Sequence, residues 1–480
     1  MSKTLAMVRR RLNSFNPTLR KVPPEILIMV ASNLKINAAL VTKATHVCHH
    51  WRVTLLSCPN LWTHLDFLRV SQATSFLERS RLLPIHIDLT RTLSSRSLVE
   101  LLCFHSERVY ALKISHFDGL HKLFRRPLTS LRTLEITLPD RTYPVGLAMR
   151  STAREFPALT SLTIKDNCDA FDLRGSRITH LHVITPMLGI RIRTKALLNL
   201  FRSCVLLEEL EIENEEWLES DSVLLPDDEV IPLPHLRSFT QTPHCGRHGT
   251  EILDSLSLLP SCSVVLRCVG SYTKDYPPLS LPNTRNTPYF TNVKRARVTY
   301  GGMYIKASVT LNLVNDEGAR FSAITESVWP DTDLFKQEPT RAVRTKLSIP
   351  GAETLCVDGN RYVSLRSYKH LTTLILSGPV VRLYLELLSE PDGWSVFESL
   401  HALVLFVGLA NLARHLLDAA QIRAKAGSPF RTITFAYPSV LAQRHLAILE
   451  RLRECVEWVE LLLGDDALDW SLDKYFLDGL

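Results

Sequence analysis

Apolar positions along the chain follow two periods. From Val22 to Trp62 they recur at helical spacing; beyond Trp62 they recur as short strand-like groups. In the first stretch Ile26, Leu27, Val30, Ala31 and Leu34 form one stripe at 3.6-residue spacing. Pro23 and Pro24 lack backbone N–H groups and hold φ near its helical value, and Glu25 suits the positive end of a helix dipole. A helix is therefore predicted to begin there and to end in the polar run around Lys35 to Asn37. A second stripe of Leu40, Ala44, Val47, Cys48, Trp51 and Leu55 predicts a longer helix ended by Pro59, after which Leu61 and Trp62 return a large aromatic to the cluster.

The later groups share one motif: leucine, two residues, leucine, one residue, apolar. It is read at Val109, Leu112 and Ile114, at Leu131, Leu134 and Ile136, and at Leu159, Leu162 and Ile164. It returns at Leu207, Leu210 and Ile212, at Leu371, Leu374 and Leu376, and at Leu400, Leu403 and Leu405, with Leu236 and Phe239 as a shortened copy. Weaker copies run from Ile178 to Ile184, Glu353 to Gly359, Pro429 to Ala436 and Cys455 to Leu463. Strand side chains alternate, so the last two apolar residues of each copy share a face, while the leucine three residues earlier reaches the core from the turn that feeds the strand. The segments Trp62 to Phe67 and Leu83 to Leu89 alternate in the same way, with helical character between them. Ser94 to His105, Lys195 to Cys204 and Ala410 to Ala424 read as helices between copies.

Copies are separated by roughly 20 to 30 residues, close to the period of a parallel-strand repeat array. The pattern weakens over 241–350. Tyr276 to Phe290 reads as loop, Arg295 to Val314 as a hairpin around Gly301-Gly302, and Asn315 to Glu338 shows no clear period. The interval is read either as irregular repeats carrying an exposed insertion, where target contacts are first sought, or as a weakly marked repeat of ordinary strands.

Composition narrows the function classes. With 480 residues, 45% hydrophobic and 22% charged, the chain is globular and long enough for several domains or an extended array. No apolar run reaches bilayer length and the N-terminus lacks a signal-peptide core, so no membrane association and a cytoplasmic or nuclear site are expected. Ten cysteines at irregular spacing fit buried thiols in a reducing compartment. The net charge of +7 owes much to Arg9, Arg10, Arg11, Arg20 and Lys21, and a basic tail without interleaved aromatics argues against nucleic-acid binding.

Candidate chemistry is sparse. His244, Cys245 and His248 lack the second ligand pair of a structural zinc site and read as a polar loop, so no metal is expected. Cys48 falls on the apolar stripe and reads as core, with His49 and His50 exposed beside it. Asp227, Asp228 and Glu229, like Asp465 and Asp466, read as solvated loops. No nucleophile elbow, phosphate loop or dinucleotide fingerprint is present, so neither catalysis nor a cofactor is expected. Trp217, after a repeat strand and among acids, is the target-binding candidate, with helix capping against the core as the alternative.

The order Pro23-Pro24-Glu25-Ile26-Leu27, a helix ending in Leu34, Val47-Cys48-His49-His50-Trp51-Arg52 and Pro59-Asn60-Leu61-Trp62 resembles the F-box in its fungal form. It departs from that pattern at Val22, where Leu is usual, and at Asn37-Ala38-Ala39-Leu40, where an acidic-Leu step is usual. The repeats resemble degenerate leucine-rich repeats. Together these resemblances imply an α/β architecture: a basic N-terminus (1–19), a small all-α F-box (20–66) and a leucine-rich-repeat solenoid (67–480) with parallel strands on its concave side and helices on its convex side. They imply a non-catalytic substrate receptor of a cullin-RING ubiquitin ligase. Its F-box would bind a Skp-type adaptor, and through it a cullin, at Pro23, Pro24, Ile26, Leu27, Leu34, Val47, Trp51 and Trp62. Its repeats would bind a target protein and so set proximity for ubiquitin transfer. A scaffold acting outside degradation and an enzyme housed in 241–350 are the alternatives.

Overall fold

The computed structural model describes residues 22–34, 37–66, 69–90, 96–115, 120–137, 156–165, 173, 175–185, 194–214, 230–243, 251–271, 293–301, 306–315, 320–328, 351–359, 368, 370–389, 399–406, 412–437 and 443–463. The chain divides into two compact units, Met1–Leu207 and Glu208–Leu480, and both are mixed α/β with parallel strands.

The first unit opens with three helices, α1 (Pro24–Ser32), α2 (Ala38–Ala44) and α3 (His49–Leu56), and a 3₁₀ turn over Pro59–Trp62. Helix α1 begins with proline in its first turn and Glu25 beside it, as the sequence predicts. The second stripe divides in two. Thr45 closes α2, its hydroxyl donating to the Thr42 carbonyl at 2.7 Å, and Cys48 in extended conformation starts α3. Helix α2 is capped by Asn37, whose Oδ1 accepts from the Leu40 amide at 3.1 Å, so one departure from the family pattern is itself a capping residue. Trp62 is fully buried; its indole N–H donates to the Leu55 carbonyl at 3.0 Å, and its ring meets Phe76 edge-on at 4.8 Å beneath the Arg79 guanidinium.

Strands then alternate with helices: β1 (His64–Asp66), α4 (Val70–Arg79), β2 (Ile85–Asp88), α5 (Arg96–Phe104), β3 (Val109–Ser115), α6 (Leu120–Phe124), β4 (Thr133–Thr137), β5 (Ser161–Lys165), β6 (His180–Thr185) and α7 (Thr194–Ser203). Each of β1 to β5 pairs in parallel with the next. The repeat motif works as its spacing predicts. Leu131, Leu134 and Ile136, and then Leu159, Leu162 and Ile164, are all buried, and a tight turn feeds each strand: Leu131 N–H donates to the Leu128 carbonyl and Leu159 N–H to Phe156, both at 3.1 Å. Arg108 ties the repeats together. Its guanidinium donates to the carbonyls of Leu77 and Leu83 and to the Ser80 hydroxyl at the C-terminal end of α4.

The second unit contains β7 (Glu209–Asn214), β8 (Ile231–Pro232), β9 (Ser238–Pro243), α8 (Glu251–Asp254), β10 (Leu256–Ser257), β11 (Ser263–Ser271), β12 (Val293–Gly301), β13 (Lys306–Asn315), β14 (Arg320–Val328), β15 (Thr354–Asp358), β16 (Thr373–Ser377), α9 (Val380–Leu388), β17 (Ala402–Phe406), α10 (Ala413–Lys425), β18 (Thr432–Tyr437), α11 (Gln443–Arg453) and β19 (Trp458–Leu463). Strands β7, β9 and β11 pair in parallel, as do β15 to β19 in sequence. Between the two runs lies the irregular interval. The hairpin expected around Gly301 is present as β12 and β13. The stretch without a clear period holds a further strand, β14, which pairs antiparallel with β13 and parallel with β11, while β12 pairs in parallel with β15. The inserted segment therefore continues the strand ladder, in reversed order, with β13 as the strand that runs against the rest.

Gln241 stands out in β9. The motif places an apolar residue at that position, and Gln241 lies in register with Ile212 and Leu266, fully buried, its amide without a hydrogen-bond partner among the described residues. In the second unit Arg423 is also buried; it donates to the Leu400 carbonyl at 2.6 Å and lies over Phe430, and burial pushes its guanidinium down to about 10. Among the described residues no helix is long and apolar enough to cross a membrane.

Candidate functional site

Helices α1 and α3 pack against each other and leave apolar side chains uncovered. Ile26, Met29 and Val30 of α1, Leu40 of α2, Val47 in the turn before α3 and Val53 of α3 are each between 39% and 57% exposed, an unusual density of large apolar side chains for so short a stretch. The expected adaptor contacts divide accordingly. Pro23, Pro24, Ile26 and Val47 are exposed; Leu34 and Trp51 are half-buried. Leu27 and Trp62 lie in the core at 1% and 0% exposure, with the Trp62 indole held on the Leu55 carbonyl. Met29, Val30, Leu40 and Val53 belong with the exposed set. Cys48 is half-buried at the start of α3 instead of lying in the core, and His50 bonds the Val22 carbonyl at 3.1 Å, tying α3 to the start of α1. Trp217, His244, Cys245 and His248 lie outside the described residues, as do both acidic clusters and the basic N-terminus.

The second feature is a cleft of about 560 Å³ on the face of β1 to β4 opposite the leucine ladder. It is built by a repeated tripeptide. His64-Leu65-Asp66 in β1 and His86-Ile87-Asp88 in β2 pair residue for residue, so Leu65 and Ile87 point to the core while two histidines and two aspartates share the outer face. The imidazoles of His64 and His86 are stacked, 4.4 Å between centroids and 3° between planes. His86 meets Tyr110 at 5.4 Å, and the Arg132 guanidinium lies 5.7 Å from the Tyr110 ring, which extends a row of flat side chains across four repeats.

Two residues further along each strand runs a charged row: Asp66, Asp88, Lys113 and Glu135. Asp66 Oδ1 accepts from the Ala38 amide at 2.8 Å, so the strand carboxylate also secures the first turn of α2. Asp88 Oδ1 accepts from the Thr90 amide and hydroxyl at 2.9 and 2.7 Å. At the other end Glu135 is clasped between Lys113 at 3.0 Å and Lys165 at 2.8 Å. Burial works to raise the Glu135 carboxyl, but hydrogen bonds from Lys165 and Lys113 and their charges outweigh it and hold it below its ordinary value. Among the described residues no three His, Asp or Glu side chains of the cleft bring their ligand atoms within 4.8 Å of one another. The repeated His-apolar-Asp tripeptide is the sequence signal for this site; motif reading that follows only the leucines passes over it. The chain matches no protein-family model and no curated protein sequence.

Proposed function

We propose that the chain is a non-catalytic receptor subunit of a cullin-type ubiquitin ligase, docking on a Skp-type adaptor through its N-terminal helices and holding a target protein on its strand repeats. The observation that carries this reading is the row of uncovered apolar side chains on α1 to α3, in the segment whose residue pattern resembles an F-box. A face of that kind is stable in water only at low density, and docking a partner buries it at roughly 25 cal/mol per Å². The parallel repeats supply the other half: strands whose outer residues are free to differ without disturbing the leucines behind them.

Leu27 is a poor probe of docking, since truncating it opens a cavity in the module. Ile26 and Met29 are better, being exposed. Replacing both with Ser is expected to reduce adaptor co-purification at least tenfold while thermal unfolding shifts by no more than a few degrees. Undiminished co-purification by the doubly substituted chain overturns the assignment.

A further inference from the structure

The cleft on β1 to β4 has a chemistry of its own, and its first property is an imbalance of charge. Asp66 and Asp88 stand directly side by side on neighbouring parallel strands, which hold such positions about 4.8 Å apart. Like charges in direct register repel. Among the described residues neither carboxylate is met by a basic side chain; Lys113, the next cation along the row, is engaged by Glu135, which Lys165 shares. Both aspartates are held in place by hydrogen bonds, Asp66 to Ala38 and Asp88 to Thr90, so neither is able to swing away without losing them.

The second property is shape. About one dipeptide rise from the carboxylates, His64 and His86 lie face to face in a two-ring stack, with Tyr110 tilted against His86. A lysine ammonium would satisfy the charge as a single point. A guanidinium is planar and carries five donors in a fork suited to carboxylates, so it can bridge two that stand side by side. A phosphate-bearing ligand is disfavoured by the same two carboxylates.

We infer that this cleft is a receptor for an arginine side chain in an extended segment of the target protein, with Asp66 and Asp88 binding the guanidinium beside the His64–His86 ring stack. The Lys113–Glu135–Lys165 cluster bounds the site and sets the direction of the segment, favouring an acidic residue on that side. That the occupant is a target segment rests on the receptor reading above; that the cleft selects arginine rests on the cleft alone.

The test is a phage-displayed library of peptides randomised at ten consecutive positions, panned against the full-length chain and against its Asp66→Asn/Asp88→Asn variant. Asparagine keeps the acceptor oxygens that Ala38 and Thr90 use and removes only the charge. Arginine is expected to be enriched about tenfold at one position with the parent chain, more than lysine there, and to lose that enrichment with the variant. No consensus, equal enrichment of lysine, or an arginine preference unchanged in the variant overturns the proposal. Should the double variant fail to fold by circular dichroism, Asp88→Asn alone, remote from α2, gives the same readout. Adaptor co-purification is measured in parallel: arginine selection without adaptor binding defeats the receptor reading and leaves the cleft, and the reverse result defeats the cleft alone.

Discussion

Strands β3 to β5 and strands β15 to β17 carry the same leucine ladder and opposite outer faces. In β4 the sequence Leu134-Glu135-Ile136 alternates buried, half-buried, buried; in β16 Leu374-Ile375-Leu376 is buried throughout. Cys356, Ile375 and Val404, at the strand position that Lys113 and Glu135 hold in their own repeats, pack in a row with Val314. The inner residues of a repeat are fixed by the core they share, whereas the residue between them is free, and the two units have used that freedom differently. One face has been made into additional core, the other into a charged, ring-lined cleft. A binding function is therefore sought in the first unit's outer face, and stability in that of β15 to β17.

Exchanging the middle residues tests this contrast most sharply. Ile375→Glu places a carboxylate at 1% exposure and is expected to cost more than about 4 kcal/mol, seen as loss of the cooperative urea transition or a large fall in its midpoint. The reverse change, Glu135→Ile, leaves two half-exposed lysines unpaired and is expected to cost no more than about 1 kcal/mol in the same titration. Similar costs for the two would erase the distinction. Next in size, Gln241→Leu restores the motif at a buried, unpartnered amide and is expected to raise stability by about 1 to 2 kcal/mol, because the desolvated polar group is removed together with its need for a partner. A loss of stability there would show that the glutamine is satisfied.

The smallest effect is pH dependence. Glu135 has its folded pKa below its ordinary value of 4.5, so its contribution is complete above that value and is lost as pH falls through the lowered folded value. Since the lysines are about a third or more exposed, screening limits the effect to about 0.5 kcal/mol. Unfolding followed between pH 6 and pH 3 is expected to be less steep in acid for Glu135→Gln than for the parent by about that amount. An identical slope would remove Glu135 from the account.

Much of this was legible from apolar spacing. The start of α1 followed from proline and glutamate, and the strands from a motif whose first leucine enters through a turn. What spacing failed to show has physical causes. Ile26 to Ala31 is apolar at every position, so periodicity has no polar side from which to choose a face, and it does not separate exposed Ile26 from buried Leu27. The break between α2 and α3 depends on the Thr45 hydroxyl and on the extended Cys48, local features that an apolar stripe passes through unmarked. Strand β14 is weakly patterned and owes its place to ladders on both sides, supplied by β11 and β13. The cleft was hidden for a simpler reason: attention to leucines treats the residues between them as filler, and His64, Asp66, His86 and Asp88 are those residues.

Asp66 has one further consequence. Its carboxylate both lines the cleft and anchors the Ala38 amide at the head of α2. A mutation at this position is therefore pleiotropic. A lineage that retunes the cleft's charge through Asp66 also loosens the helix module, and one that preserves the module inherits a carboxylate in the cleft. Asp88, tied among the described residues only to its own neighbour Thr90, carries no such coupling, so divergence in ligand preference is expected to be written first at Asp88.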